Sequence, residues 1–90
     1  MSHCSDQKPK ILARVRRLRG QIEAIERAVE TDAECGEVLH LLASVRGAIN
    51  GLTGELIEEH VREHVMNEAD AVARTKGGGE LIDVIRTYLR

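Results

Sequence analysis

Apolar positions recur in two long helical runs separated by a polar break. In the first run Ile11, Val15, Leu18, Ile22, Ile25 and Val29 follow one another in steps of four and three, and Val38, Leu42, Val45, Ile49, Leu52 and Leu56 do the same in the second. That alternation is the period of an amphipathic helix; strands, which repeat every second residue, have no support. The spacing predicts helix one over 9–30 and helix two over 31–66, paired as an antiparallel hairpin. Pro9 suits the first turn of helix one, where its missing N–H removes no helical bond. Thr31 and Glu34 have the spacing of a capping box and are expected to start helix two. Beyond Met66 the period fades, and Gly77, Gly78 and Gly79 are expected to form a flexible joint. A short third helix over 80–90 then carries Leu81, Ile82, Ile85, Tyr88 and Leu89 on one side, and at that length it has to dock.

A chain of 90 residues suits one domain, 1–90. A chain this short buries only about 60–65% of the surface its unfolded form exposes, so self-association would add to its stability. The composition is helical, with one Pro, one Tyr, and neither Phe nor Trp. No apolar run approaches the roughly 18 residues of a membrane span and no signal-peptide core is present, so a cytoplasmic protein without membrane contact is expected. Cys4 and Cys35 lack finger or CxxC spacing and read as thiols in a reducing compartment. There is no phosphate-binding glycine loop, triad pattern or HExxH arrangement, so an enzyme is not expected.

The net charge of −2 conceals a division along the chain. Residues 1–20 hold Lys8, Lys10, Arg14, Arg16, Arg17 and Arg19 against Asp6 alone, whereas residues 31–90 hold six basic residues against eleven acidic ones. Lys10, Arg14 and Arg17 form a row at helical spacing with Arg16 and Arg19 beside it. Such a block, repeated by each subunit of an oligomer, suits the phosphates of double-stranded DNA. The plainer alternative is a solvated face with ion pairs to Glu23 and Glu26.

His60 and His64 continue the apolar line of helix two. Two imidazoles four residues apart share one helix face, with Cβ atoms roughly 6 Å apart, the spacing that lets both bind one metal ion. Cys35 opens the same helix, but the intervening residues correspond to about 37 Å of helix, so one straight helix cannot bring the three together. Two copies packed antiparallel, crossing near residue 48 where Gly47, Ala48, Gly51 and Gly54 permit close approach, would set Cys35 of one chain beside the histidines of the other. The expected unit is a symmetric dimer with two intersubunit sites. Alone, Cys35 would read as a small buried hydrophobe. At the N-terminus His3 and Cys4 adjoin the amine that Ser2 would expose on loss of Met1, which makes either a chelating arm or a simple tail. His40 lies well round the helix from Cys35 and reads as a surface or packing residue.

RVRRLRGQIEAIERAVE, then Cys35, VRGAINGL and the ExxxxHVREH stretch resemble the CsoR/RcnR family of small bacterial repressors that sense metals or formaldehyde, and the likeness runs nearly end to end, to the closing IRTYLR. The resemblance implies an all-α subunit of three helices, an antiparallel dimer, and a dimer of dimers forming a disc-shaped homotetramer. It also implies that the metal-free protein binds operator DNA and that the effector weakens that binding. Four positions separate the branches, and here they read His3, Cys35, His60 and His64, similar to the nickel/cobalt branch. Copper(I) sensors have Cys at the position of His64. Formaldehyde sensors have Pro at the position of Ser2 and an acidic residue at that of His64. One thiolate with up to three imidazoles and an amine is a nitrogen-rich set suited to cobalt(II), nickel(II) or zinc(II) better than to copper(I), with the Ser2 amine and Cys4 as further candidate donors; zinc or copper stands as an alternative effector to nickel or cobalt. The resemblance thus implies release of metal-efflux genes by nickel or cobalt. Two alternatives stand beside that reading: formaldehyde acting through Cys35 and the N-terminal amine, or a metal-buffering oligomer.

Overall fold

The computed structural model describes residues 7–89 as three helices: α1, Lys8–Glu30; α2, Cys35–Val61, continued by a π-helical turn over Arg62–Met66; and α3, Ala71–Tyr88. No strand occurs among the described residues. They divide into two compact units, the first ending at Thr53 and the second starting at Gly54.

The first unit is the hairpin of α1 and the greater part of α2. Gln21 Nε2 donates to Ser44 Oγ at 3.4 Å, and a Cβ built on Gly51 would meet the Arg14 guanidinium at 3.3 Å. Seven residues back along α1 therefore match seven residues forward along α2, which fixes the antiparallel sense. The seam line is Ile11, Arg14, Leu18, Gln21, Ile25 and Ala28 on α1, flanked by half-buried Leu12 and Ala24, and Val38, Leu41, Val45, Ala48 and Leu52 on α2, flanked by half-buried Thr53. Both sets step by three and four, as a helix seam must. They share only half of the apolar line expected from the sequence. Ile11, Leu18, Ile25, Val38, Val45 and Leu52 face the seam, whereas Val15, Ile22, Val29, Leu42 and Ile49 are exposed. Among the described hydrophobic residues only Ala28 and Val45 fall to 8% exposure. Gln21 Oε1 is buried in the seam with no hydrogen-bond partner among the described residues.

The junction of α1 and α2 corrects one expectation. Thr31 is not the N-cap of helix two; it closes helix one. Its hydroxyl donates to the Arg27 carbonyl at 2.8 Å, Asp32 N–H bonds Val29 O, and Ala33 N–H bonds Ala28 O. With Asp32 at φ 56° this is a Schellman motif whose left-handed position is filled by an aspartate in place of glycine. The reversal uses residues 31–34, so α2 starts at Cys35 and not at 31.

The second unit holds the last turns of α2, the π turn and α3. Here the expected flexible joint is absent: α3 runs unbroken through Gly77, Gly78 and Gly79, none of which has a positive φ, and it is 18 residues long. Its start is tied down. Asp70 Oδ2 accepts from Ala73 N–H at 2.8 Å, Glu68 Oε1 accepts from Asp70 N–H at 3.1 Å, and Arg74 reaches back to the Glu68 carbonyl at 3.0 Å. Ala73, Gly77 and Leu81 form the covered face of α3, and Gly77 is buried. Three glycines cost a helix roughly 1 kcal/mol each relative to alanine. At Gly77 the backbone of α3 meets the π turn, which accounts for the glycine there: a Cβ would overlap the His64 carbonyl oxygen. Ile82, Ile85, Tyr88 and Leu89, expected to dock, are exposed in this chain.

No helix of the described residues is long and apolar enough to cross a membrane.

Replacing Asp70 by Ala should destabilise the protein by about 1 kcal/mol, lowering the melting temperature by about 4–8 °C at one fixed protein concentration. Circular dichroism melts check this, and an unchanged transition would mean that the carboxylate contributes nothing to the start of α3.

Candidate metal centre and basic face

His60 lies in the last turn of α2, and His64 in the π turn that follows. A π-helix spaces its bonds at i to i+5, and here Asn67 N–H reaches Arg62 O at 2.9 Å. The change of helix type does not separate the histidines: their ring centroids lie 4.9 Å apart, with the planes tilted by 41°. Both side chains are half-buried. His60 Nε2 lies 2.9 Å from the carbonyl oxygen of Gly77. A carbonyl oxygen only accepts, so Nε2 is the donor and carries the proton; in the neutral ring the lone pair then sits on Nδ1. Histidines that bind metals characteristically hold their second nitrogen in this way.

Beside His60 is an open groove of about 250 Å³ lined by Leu56, Ile57, Glu80, Leu81 and Val84. On the outer side of the helix Arg62 pairs with Glu58 at 2.5 Å, both well exposed. Cys35 is the first residue of α2, a free and exposed thiol. Among the described residues no three His, Cys, Asp or Glu side chains form a metal-binding group. Of the expected donors within the described residues, the chain brings His60 and His64 together and does not bring Cys35 to them. Ser2, His3 and Cys4 lie outside the described residues. His40 is exposed, as a surface residue should be. Sequence reasoning missed Gly77, although a glycine run in an otherwise helical stretch is a signal for close backbone approach as much as for a break.

The basic row lies on α1. Lys10, Arg16, Arg17 and Arg19 are exposed, whereas Arg14 is half-buried, its guanidinium lying against Gly51 of α2. Arg19 sits 4.0 Å from Glu23, one turn on, with both side chains mostly in solvent. An exposed pair at that distance holds the arginine only weakly. Arg19 is thus only loosely held, and the Arg14 guanidinium touches both helices.

Similarity to known proteins decides the family. Residues 7–87 match the family model described as metal-sensitive transcriptional repressor. The chain belongs to that family, the CsoR/RcnR repressors. It is 34% identical to the transcriptional repressor RcnR of Citrobacter koseri and 48% identical to a Serratia marcescens protein from the bioA 5′ region, in each case over the whole of both chains. Among solved structures it is similar to a variant of the formaldehyde-responsive regulator FrmR from Salmonella enterica serovar Typhimurium in which a glutamate is replaced by histidine. That match has a TM-score of 0.85 and 42% identity, and covers 97% of this chain and 99% of the other. The three-helix, all-α fold expected from the sequence is the fold of this relative. Members of the family are metal-sensitive regulators of transcription.

Because the Arg19–Glu23 pair is exposed, Arg19→Ala should change unfolding free energy by no more than about 0.5 kcal/mol. Denaturant titration checks this, and a larger loss would give the basic row a structural role.

Proposed function

We propose that this repressor responds to nickel(II) or cobalt(II), binding double-stranded operator DNA in its metal-free form and releasing it when the ion binds. The observation that carries this reading is the histidine pair: two imidazoles 4.9 Å apart, one of them fixed by a backbone carbonyl. Cys35 of the partner chain would supply the thiolate and His3 a further donor, with the Ser2 amine and Cys4 as additional candidates. Bound there, the ion would link two chains and draw the N-terminal arm toward α1. Lys10, Arg14, Arg16, Arg17 and Arg19, repeated across a homodimer that assembles into a homotetramer, would hold the phosphates. The apolar positions exposed on both long helices, Val15, Ile22, Val29, Leu42 and Ile49, support such assembly, since each otherwise faces water. A coupling of about 1–3 kcal/mol between ion and DNA suffices to change occupancy about 5- to 150-fold. Derepression of metal-efflux genes from a cytoplasmic repressor is the physiological reading.

A second reading has a specific observation in its favour, the 42% identity to a formaldehyde-responsive regulator. There an aldehyde would bridge the exposed thiol of Cys35 and the N-terminal amine. It leaves the histidine pair without a task, which is why the metal reading is preferred; zinc or copper in the same site would be variants of that metal reading. Titrating release of promoter DNA with each metal and with formaldehyde separates them: release by nickel or cobalt at lower concentration supports the proposal, and release by formaldehyde alone refutes it.

Arg17→Ala should weaken operator binding across all sequences and reduce the salt slope of log K by about one for each phosphate that the protein no longer neutralises, with metal binding retained. Unchanged affinity would place the DNA face elsewhere.

Cys35→Ala and His64→Ala should each abolish tight cobalt binding, yet mixing the two variants and allowing subunits to exchange should restore part of it. A heterodimer has one site with both ligands intact and one lacking both. Thiolate-to-cobalt absorption reports the result; full exchange without recovered signal would refute the intersubunit site.

A further inference from the structure

We infer that Gly77 is a positioning residue of the histidine pair, acting through its carbonyl on His60 and through its missing side chain on His64. The inference rests on the metal reading above and adds a residue that bears no ligating group. Two contacts meet at this one position. The Gly77 carbonyl accepts the Nε2 proton of His60 at 2.9 Å. On its other side, a Cβ at Gly77 would overlap the carbonyl oxygen of His64 and stand 3.0 Å from both its carbonyl carbon and its own Cβ.

The atoms in the way are backbone, not the far end of a mobile side chain, so they cannot swing aside. A methyl group at residue 77 therefore has to separate α3 from the π turn. Separation by even a few tenths of an ångström acts on the Gly77–His60 bond, because the carbonyl that accepts it belongs to the same residue. The absence of a side chain is thus what allows the acceptor to reach His60. With the bond made, the proton is held on Nε2, and Nδ1 presents the lone pair. Without it both neutral tautomers are populated, and nothing at Nε2 fixes the rotation of the ring.

Gly78 and Gly79 provide the contrast. They belong to the same glycine run, yet a Cβ on either has nothing within 4 Å. A purely local effect of glycine on helix propensity would be shared by all three, whereas the positional effect belongs to Gly77. Gly79, which is exposed, is the suitable control.

The test uses the full-length protein, wild type, Gly77→Ala and Gly79→Ala, with two measurements. In metal-free protein, long-range nitrogen–proton NMR correlations of the histidine rings report the tautomer of His60. The expected result is an Nε2–H ring in wild type and in Gly79→Ala, and a mixture in Gly77→Ala. Cobalt(II) titration should then show a dissociation constant raised roughly 10- to 100-fold in Gly77→Ala, the usual effect of removing a partner that orients a metal-binding histidine. Gly79→Ala should bind as wild type does.

A wild-type His60 protonated on Nδ1 overturns the inference whether or not the alanine variant folds. So does a Gly77→Ala protein with unchanged tautomer and affinity, or equal losses of affinity in the two alanine variants. If wild type binds no cobalt, the metal reading fails, and the tautomer comparison still decides whether Gly77 positions His60.

Discussion

Covering the apolar stripes of α1 and α2 takes more than one neighbouring helix. The hairpin seam uses one edge of each stripe, along Ile11, Leu18 and Ile25 on one side and Val38, Val45 and Leu52 on the other. The other edge, with Val15, Ile22, Val29, Leu42 and Ile49, stays in water. Moving each of these from partial to full burial would contribute on the order of 1 kcal/mol. In a hairpin whose only well-buried hydrophobic residues are an alanine and a valine, that is a large share of the available driving force. A hairpin with so little buried apolar surface would gain stability from further copies covering these edges, and under the proposed metal reading a site spanning two copies would bias how they sit.

The polar members of the seam add a second constraint. Arg14 and Gln21 occupy positions that an ideal hairpin would give to leucine, and Gln21 keeps a buried oxygen without a partner among the described residues. Such residues weaken packing but restrict the register in which the helices can pair. Arg14, lying against Gly51, also joins the cationic face of α1 to α2, the helix that carries Cys35 and His60.

Helical period alone is enough to locate the two long helices, the basic row and the neighbouring histidines, because each depends on spacing within one element. The sequence misleads where one residue type serves two purposes. A threonine hydroxyl can cap the start of a helix or bond a carbonyl at its end, and Thr31 does the latter because Asp32 takes the left-handed turn. Three glycines in a row look like a break because propensity penalises them, yet they lie within a continuous helix, and Gly77 serves a close backbone approach instead. The seam is legible only by half, since a broad stripe does not say which of its edges the first neighbour covers. Nothing in the residue pattern announces the π turn or the bond from His60 to a main-chain oxygen, the latter made only where α3 returns against the last turns of α2.

The acceptor that meets His60 is a peptide carbonyl, a group every residue possesses. Exchange of residue type at position 77 cannot remove it chemically; it can only displace it by bulk. The histidine is thus protected against the commonest kind of genetic damage to a polar contact, loss of the partner's functional group, and exposed to an unusual one, the gain of a single methyl. Variation at this position would accordingly be tolerated or rejected on size rather than polarity, and a comparison of relatives that looked only for polar partners of His60 would pass over it.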